Sequence, residues 1–148
     1  MLVILGLALL LTACGSSDSD SASATSNITI SDAWARAVPA DSSTTVTNAV
    51  YFVIDNNGDA ADQLIGVATD VAAVAEMHQT TMDDGVMQMR QTQEVEIPAD
   101  KTVAFEPGGL HVMLIGLTRS LKAGETFQLM LTFEATGSVP VDVEVRDL

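Results

Sequence analysis

Apolar and polar residues alternate one by one along much of this chain, and that period of two constrains the fold more than any other feature. Val141, Val143 and Val145 alternate with Asp142, Glu144 and Arg146. In an extended strand successive side chains point to opposite faces, so such a segment has one dry face and one wet face. Val46–Ile54 is β-branched and aromatic and ends in the turn signal Asp55-Asn56-Asn57-Gly58. Leu64–Ala68, Val71–Gln79, Val86–Arg90, Glu94–Ile97, Thr102–Phe105, Leu110–Leu117, Thr126–Phe133 and Val139–Val145 are the other strand candidates, and Asp83-Asp84-Gly85 reads as a hairpin turn. The alanines of Val71–Glu76 favour helix, but that segment is read as strand. No stretch shows a long helical period. Short strands separated by turns predict an all-β sandwich or barrel.

With 148 residues, 47% of them hydrophobic, the chain is sized for one domain with a substantial core. Twenty acidic residues against six basic ones give a net charge of −14. Such a surface repels a phosphate backbone, so no nucleic-acid partner is expected. The plain reading of that charge is solubility; the sharper alternative is attraction of cations or of a basic partner.

The N-terminus carries a different kind of message. Leu2–Leu11 is almost uniformly apolar but is about half the length needed to cross a bilayer as a helix, which fits the core of a secretory signal. It runs into Leu11-Thr12-Ala13-Cys14-Gly15, which resembles a bacterial lipobox. Residues 1–14 are therefore read as a lipoprotein signal ending at Cys14, the lipidation site and the chain's one cysteine. A diacylglyceryl group there supplies enough acyl chain for stable anchoring. Residues 15–27, rich in Ser, Asp and Ala, read as a flexible tether, and residues 28–148 as the folded domain. The expected location is the periplasm or the outer face of the cytoplasmic membrane.

Both histidines, His78 and His111, and five of the seven methionines fall between Met77 and Met113. On a strand through Leu110-His111-Val112-Met113-Leu114, His111 and Met113 share one face while the three aliphatics take the core face. Gly108-Gly109 lets the chain turn tightly just before them. His78 and Met77 point oppositely, which assigns Met77 to the core. Met87 and Met89 share a face, so alternation does not choose between them. Trp34 could stack near this site, but a core position is the expectation.

Thioether sulfur is soft and uncharged and selects Cu(I), whereas Mg, Ca or Mn calls for carboxylates. HExxH and CxxC are absent from the sequence, which argues against hydrolytic or structural zinc. A blue-copper electron-transfer site needs a cysteine thiolate, which the domain lacks.

His78 is followed by ten residues and Met89, then by twenty-one residues and His111-Val112-Met113. This spacing resembles the signature of the PCu(A)C family of periplasmic copper chaperones. Ser31-Asp32-Ala33-Trp34-Ala35-Arg36, Met82-Asp83-Asp84-Gly85-Val86-Met87 and Pro107-Gly108-Gly109-Leu110-His111 also resemble the family, and the likeness runs from about Ile28 to Val145. The resemblance implies a cupredoxin-like Greek-key β-sandwich. It also implies a single Cu(I) held by His78, Met89, His111 and Met113, choosing Met89 over Met87. The implied function is delivery of Cu(I) to the dinuclear copper site of cytochrome c oxidase, with an oxidase subunit or a thioredoxin-like copper chaperone as acceptor. Some family members carry a His/Met-rich C-terminal tail. This chain ends at Asp147-Leu148, so one Cu(I) and no strong second site is expected. A monomer is expected.

The alternative reading is a copper-buffering or copper-tolerance protein with no specific acceptor, built on the same four ligands. An enzyme is not expected, because no acid–base pair accompanies the ligands and four protein donors leave no open coordination position.

Overall fold

The structure, a computed structural model, describes residues 26–39 and 47–147. The leader, Cys14 and Val46 lie outside the described residues. The described residues form ten strands and no helix: β1 Ile28–Arg36, β2 Asn48–Asn56, β3 Asp62–Thr69, β4 Ala72–Asp83, β5 Val86–Gln91, β6 Val95–Ile97, β7 Lys101–Phe105, β8 Leu110–Leu117, β9 Thr126–Phe133 and β10 Gly137–Arg146. The segment that hesitated between helix and strand is extended in β4. Its odd-numbered Met77 is buried in the core, as alternation assigned it.

The strands hydrogen-bond in the order β5-β4-β8-β7-β2-β1-β10-β9-β3-β6, with β8 also paired to β2. Neighbours distant in sequence, such as β4–β8, β1–β10 and β3–β9, are the crossovers of a Greek-key arrangement. The sheet folds over on itself as a cupredoxin-like β-sandwich. Its two inner faces interdigitate through Val50, Phe52 and Ile54 of β2, Val112 and Leu114 of β8, Leu129 and Leu131 of β9, and Val143 and Val145 of β10. Phe52 and Phe105 are cross-strand partners with rings stacked at 4.4 Å. Each fully buried aliphatic or aromatic side chain contributes about 1.5–3 kcal/mol.

Two features differ from the sequence reading. β1 carries no simple alternation and was not anticipated as a strand. It pairs with β2 as Ile28↔Asn56 through Ser31↔Val53, then resumes at Trp34↔Tyr51. Three steps along β1 thus match two along β2, which is a β-bulge, and Asp32 there has φ 48°. The bulge switches parity. Ile28 and Ile30 pack on the core before it and Ala33 and Ala35 after it, so Trp34 faces outward. The expected turn at Asp55–Gly58 also starts later than its residues imply. Asn56 is still in β2, and its buried amide donates to the carbonyls of Ala60 and Ile97 while its Oδ1 accepts from the N–H of Asn27 and Gly58. The loop is folded around that one side chain.

Asp62 closes the far end of the sandwich. Its carboxylate accepts from the N–H of Gln63, Ala135 and Thr136 and from the hydroxyls of Ser26 and Thr136, all at 2.6–3.0 Å. Ser26, read from the sequence as part of the tether, thus bonds to the folded domain. Burial alone would raise this carboxyl's pKa, but the hydrogen bonds from Thr136, Ala135, Gln63 and Ser26 outweigh it and bring the pKa from 3.8 to about 2. Because the folded-state pKa is depressed, the stabilisation is fully present above pH 4 and is lost as pH falls toward 2. That shift corresponds to about 2 kcal/mol. Asp62→Asn is expected to lower the stability at pH 7 by about this amount. The gap between wild type and variant, measured by urea unfolding, should narrow below pH 4.

Candidate metal centre

The core fixes which way each site residue points. Met77 on β4 and Val112 and Leu114 on β8 are buried, so His78, His111 and Met113 must lie on the outer face of the sheet. The register sets His78 directly opposite His111 and Glu76 opposite Met113 across β4–β8. Across β4–β5 it sets Thr80 opposite Met89 and Gln91 opposite His78. The His78–His111 rung is therefore central, with Met113 two residues along β8 and Met89 on the diagonal in β5. Directly opposite residues in a sheet have Cβ atoms roughly 5 Å apart, and diagonal ones roughly 7–8 Å. Four long or ring side chains at those spacings can converge on one ion.

Met89, His111 and Met113 line a single cleft of about 510 Å³. Trp34 and Tyr51 form part of its wall, as does Met87. His78 is not on the wall but lies beside it, its ring 5.9 Å from that of His111. The structure thus brings the four expected ligands together on one face. It does not separate Met87 from Met89, since both reach the cleft. The fixed spacing is what favours Met89.

Hydrogen bonding decides which nitrogen each imidazole offers. The His111 Nδ1 lies 3.1 Å from the carbonyl of Gly109. A carbonyl only accepts, so Nδ1 carries the proton and Nε2 keeps the free lone pair. The same carbonyl takes the N–H of Thr80 at 3.0 Å. Gly108, with φ 84°, makes the turn that puts it there. In His78 the roles are reversed. Nε2 is 3.0 Å from Oε2 of Glu76 and donates to it. The lone pair is left on Nδ1, which is buried and has no hydrogen-bond partner. A buried acceptor without a partner is costly in a finished fold, and a metal ion would satisfy it.

Sequence reading missed two contributors. Glu76 holds the His78 ring in one tautomer; a carboxylate two residues before a ligand, and so on the same strand face, was the signal available. Trp34 was expected in the core. The β1 bulge instead turns it to the cleft, where it is half-buried and tilted against Tyr51 at 4.7 Å. Tyr51 in turn lies 6.4 Å from His111. Arg146 sits 5.7 Å over the Trp34 ring and is pinned there by Asp32 and Glu144, each at 2.9 Å. Among the described residues no group of three or more His, Cys, Asp or Glu is placed to hold a metal. The donors beside the two imidazoles are the thioethers of Met87, Met89 and Met113, which line this cleft.

Fold and site define a β-sandwich with paired imidazoles and thioethers displayed on one outer face. Residues 28–145 match the family described as "Putative lipoprotein LpqE-like", and the chain belongs to this PCu(A)C-type family. It is 29% identical over 121 residues to "Putative lipoprotein Lxx21020" of Leifsonia xyli subsp. xyli, covering 81% of this chain and 70% of that one. Among solved structures it is similar to the copper-bound PCuAC domain from PmoF2, with TM-score 0.67, 25% identity, and coverage of 82% of this chain and 93% of that one. It is also similar to the Cu(I) form of DR1885 from Deinococcus radiodurans, with TM-score 0.62, 33% identity, and coverage of 78% and 75% respectively.

The tautomer assignment is open to a direct check. In long-range 1H–15N spectra His78 should appear as the Nε2–H form. Glu76→Ala should leave it as a mixture of both tautomers while His111 stays in its Nδ1–H form.

Proposed function

We propose that this chain is an extracytoplasmic Cu(I) carrier. It holds one ion between Nδ1 of His78, Nε2 of His111 and the sulfurs of Met89 and Met113, and passes it to an acceptor protein. The observation that carries this reading is the buried, unpartnered Nδ1 of His78, on the same sheet face as His111 and the two thioethers. The soft donor set favours Cu(I) over harder ions. The solved copper-bound relatives supply independent support.

All four donors are neutral, so the bound ion keeps its single positive charge. Loading and release then require no compensating charge movement in the protein. Thioethers, unlike thiols, cannot be oxidised to disulfides in an export compartment. They also yield a soft ion to a thiolate acceptor, which makes transfer to a cysteine-bearing partner downhill. The final recipient in this proposal is the dinuclear copper site of cytochrome c oxidase, reached directly or through a thioredoxin-like chaperone. The lipid on Cys14 would keep the carrier at the membrane where that oxidase resides.

Titration with Cu(I) against a competing chelator tests the site, using the full chain with Cys14→Ser so that no thiol competes. One equivalent should bind. His111→Ala and Met113→Ala should each weaken binding by at least about tenfold, since each removes a donor and tenfold is only 1.4 kcal/mol. Met77→Leu, a core change, should leave it untouched. Absence of binding at micromolar Cu(I) refutes the reading. Deleting the gene tests the recipient: oxidase activity should fall at low copper and recover when copper is added. Copper sensitivity with intact oxidase activity would point to a buffer instead.

A further inference from the structure

Beyond the central site, the β4–β5 hairpin displays methionine where a fold has no need of it. Met82, Met87 and Met89 are 67%, 62% and 52% exposed. They share the outer face with His78 and Thr80: Met82 is paired directly with Met87, and Met89 follows two residues along β5 toward the histidines. Thr or Val would serve an exposed strand position at least as well, so packing does not account for three thioethers in water. Opposed cross-strand side chains start roughly 5 Å apart, and methionine has three flexible torsions. Two such sulfurs can close on either side of an ion that accepts two-coordinate soft ligation. The step from Met87 to Met89 is about 7 Å, two residues of strand.

The charge around the tip fits a cation as well. Asp84 and Gly85 form the two-residue turn, both with positive φ, and the exposed carboxylates of Asp83 and Asp84 flank the Met82–Met87 rung. They are not soft ligands, but they raise the local concentration of positive ions at the hairpin tip.

We propose that Met82 and Met87 form a second, weaker thioether site for Cu(I) at the hairpin tip, from which the ion enters the central site through Met89. The inference rests on the carrier reading and extends it with a point of entry. Transfer is a ligand exchange with no redox change. The bonds to the sulfurs of Met82 and Met87 break while bonds to Met89 and then to the imidazoles form, and the ion remains Cu(I) throughout. A two-donor site binds more weakly than a four-donor one, so the ion moves inward.

The test is a Cu(I) titration of the full chain carrying Cys14→Ser, followed through 13C-labelled methionine methyl groups. The first equivalent should shift Met89 and Met113. A second event, at a concentration at least about 100-fold higher (tenfold per 1.4 kcal/mol), should shift Met82 and Met87 together, with buried Met77 unmoved. The exposed, volume-conserving variant M82L, at a residue outside the central cleft, should abolish the second event and keep the first. The proposal is overturned if Met82 and Met87 stay unmoved in excess Cu(I), the behaviour of a purely apolar docking stripe. It is overturned equally if M82L leaves the second event unchanged, since a two-sulfur site does not survive the loss of one of its sulfurs. Failure of the first event in the unsubstituted chain refutes the carrier reading itself, whereas a first event without a second refutes only the entry site.

Discussion

The pairing register of β4 with β8 is the constraint on which everything else at this site depends. It places His78 opposite His111, and it is held from the other side of the sheet. A slip of one residue would carry Met77, or Val112 and Leu114, from the core to water and their polar neighbours inward. At about 1.5–3 kcal/mol per buried side chain, such a slip costs more than a single metal-binding rung could recover. The hydrophobic core therefore sets the geometry of the candidate ligands His78, His111 and Met113. This is how a site on an exterior face can be preorganised without a core of its own.

That logic also explains what could be read from the sequence. Alternation is a local property, and it was sufficient wherever a strand has one buried face and one open face, as in β8, β9 and β10. It paired His111 with Met113 and sent Met77 inward without reference to any relative. It failed at β1, because one extra residue between Ser31 and Trp34 resets the period. Trp34 was expected in the core rather than beside the site, and the bulge turns it to the cleft instead. Nor does alternation say which strands become neighbours. β4 and β8 are far apart in sequence, and their pairing is decided by crossovers that no local pattern records. The His-to-Met spacing carried that long-range information, since it had already joined His78 and Met89 to the later pair.

The second-layer contacts were the least legible part. The carbonyl of Gly109 and the carboxylate of Glu76 fix opposite tautomers in the two imidazoles. These depend on backbone course and side-chain rotamer rather than on residue type. The consequence is asymmetric. His111 presents Nε2 from a ring held by backbone, while His78 presents Nδ1 from a ring held by a partly exposed carboxylate. A ring anchored to backbone keeps its direction when neighbours move; one anchored to a side chain can be released by losing a single hydrogen bond.

This asymmetry continues across the cleft and bears on how an ion could leave. His111 is almost fully buried, whereas Met89 is half exposed. Ligand exchange with an incoming donor needs that donor to reach the ion before the resident ligands have all departed. On the carrier reading the approach is open on the thioether side, and the weakest donors are the accessible ones. The His111 ring, tied to the Gly109 carbonyl and backed by Tyr51 and by Trp34 under its Arg146 cap, stays in place. A bound ion would thus be exposed through its most labile bonds and retained through its most rigidly held ones. An arrangement of that kind favours hand-over to a partner that contacts the ion over loss of the ion to water, because water is too hard a ligand to displace sulfur from Cu(I).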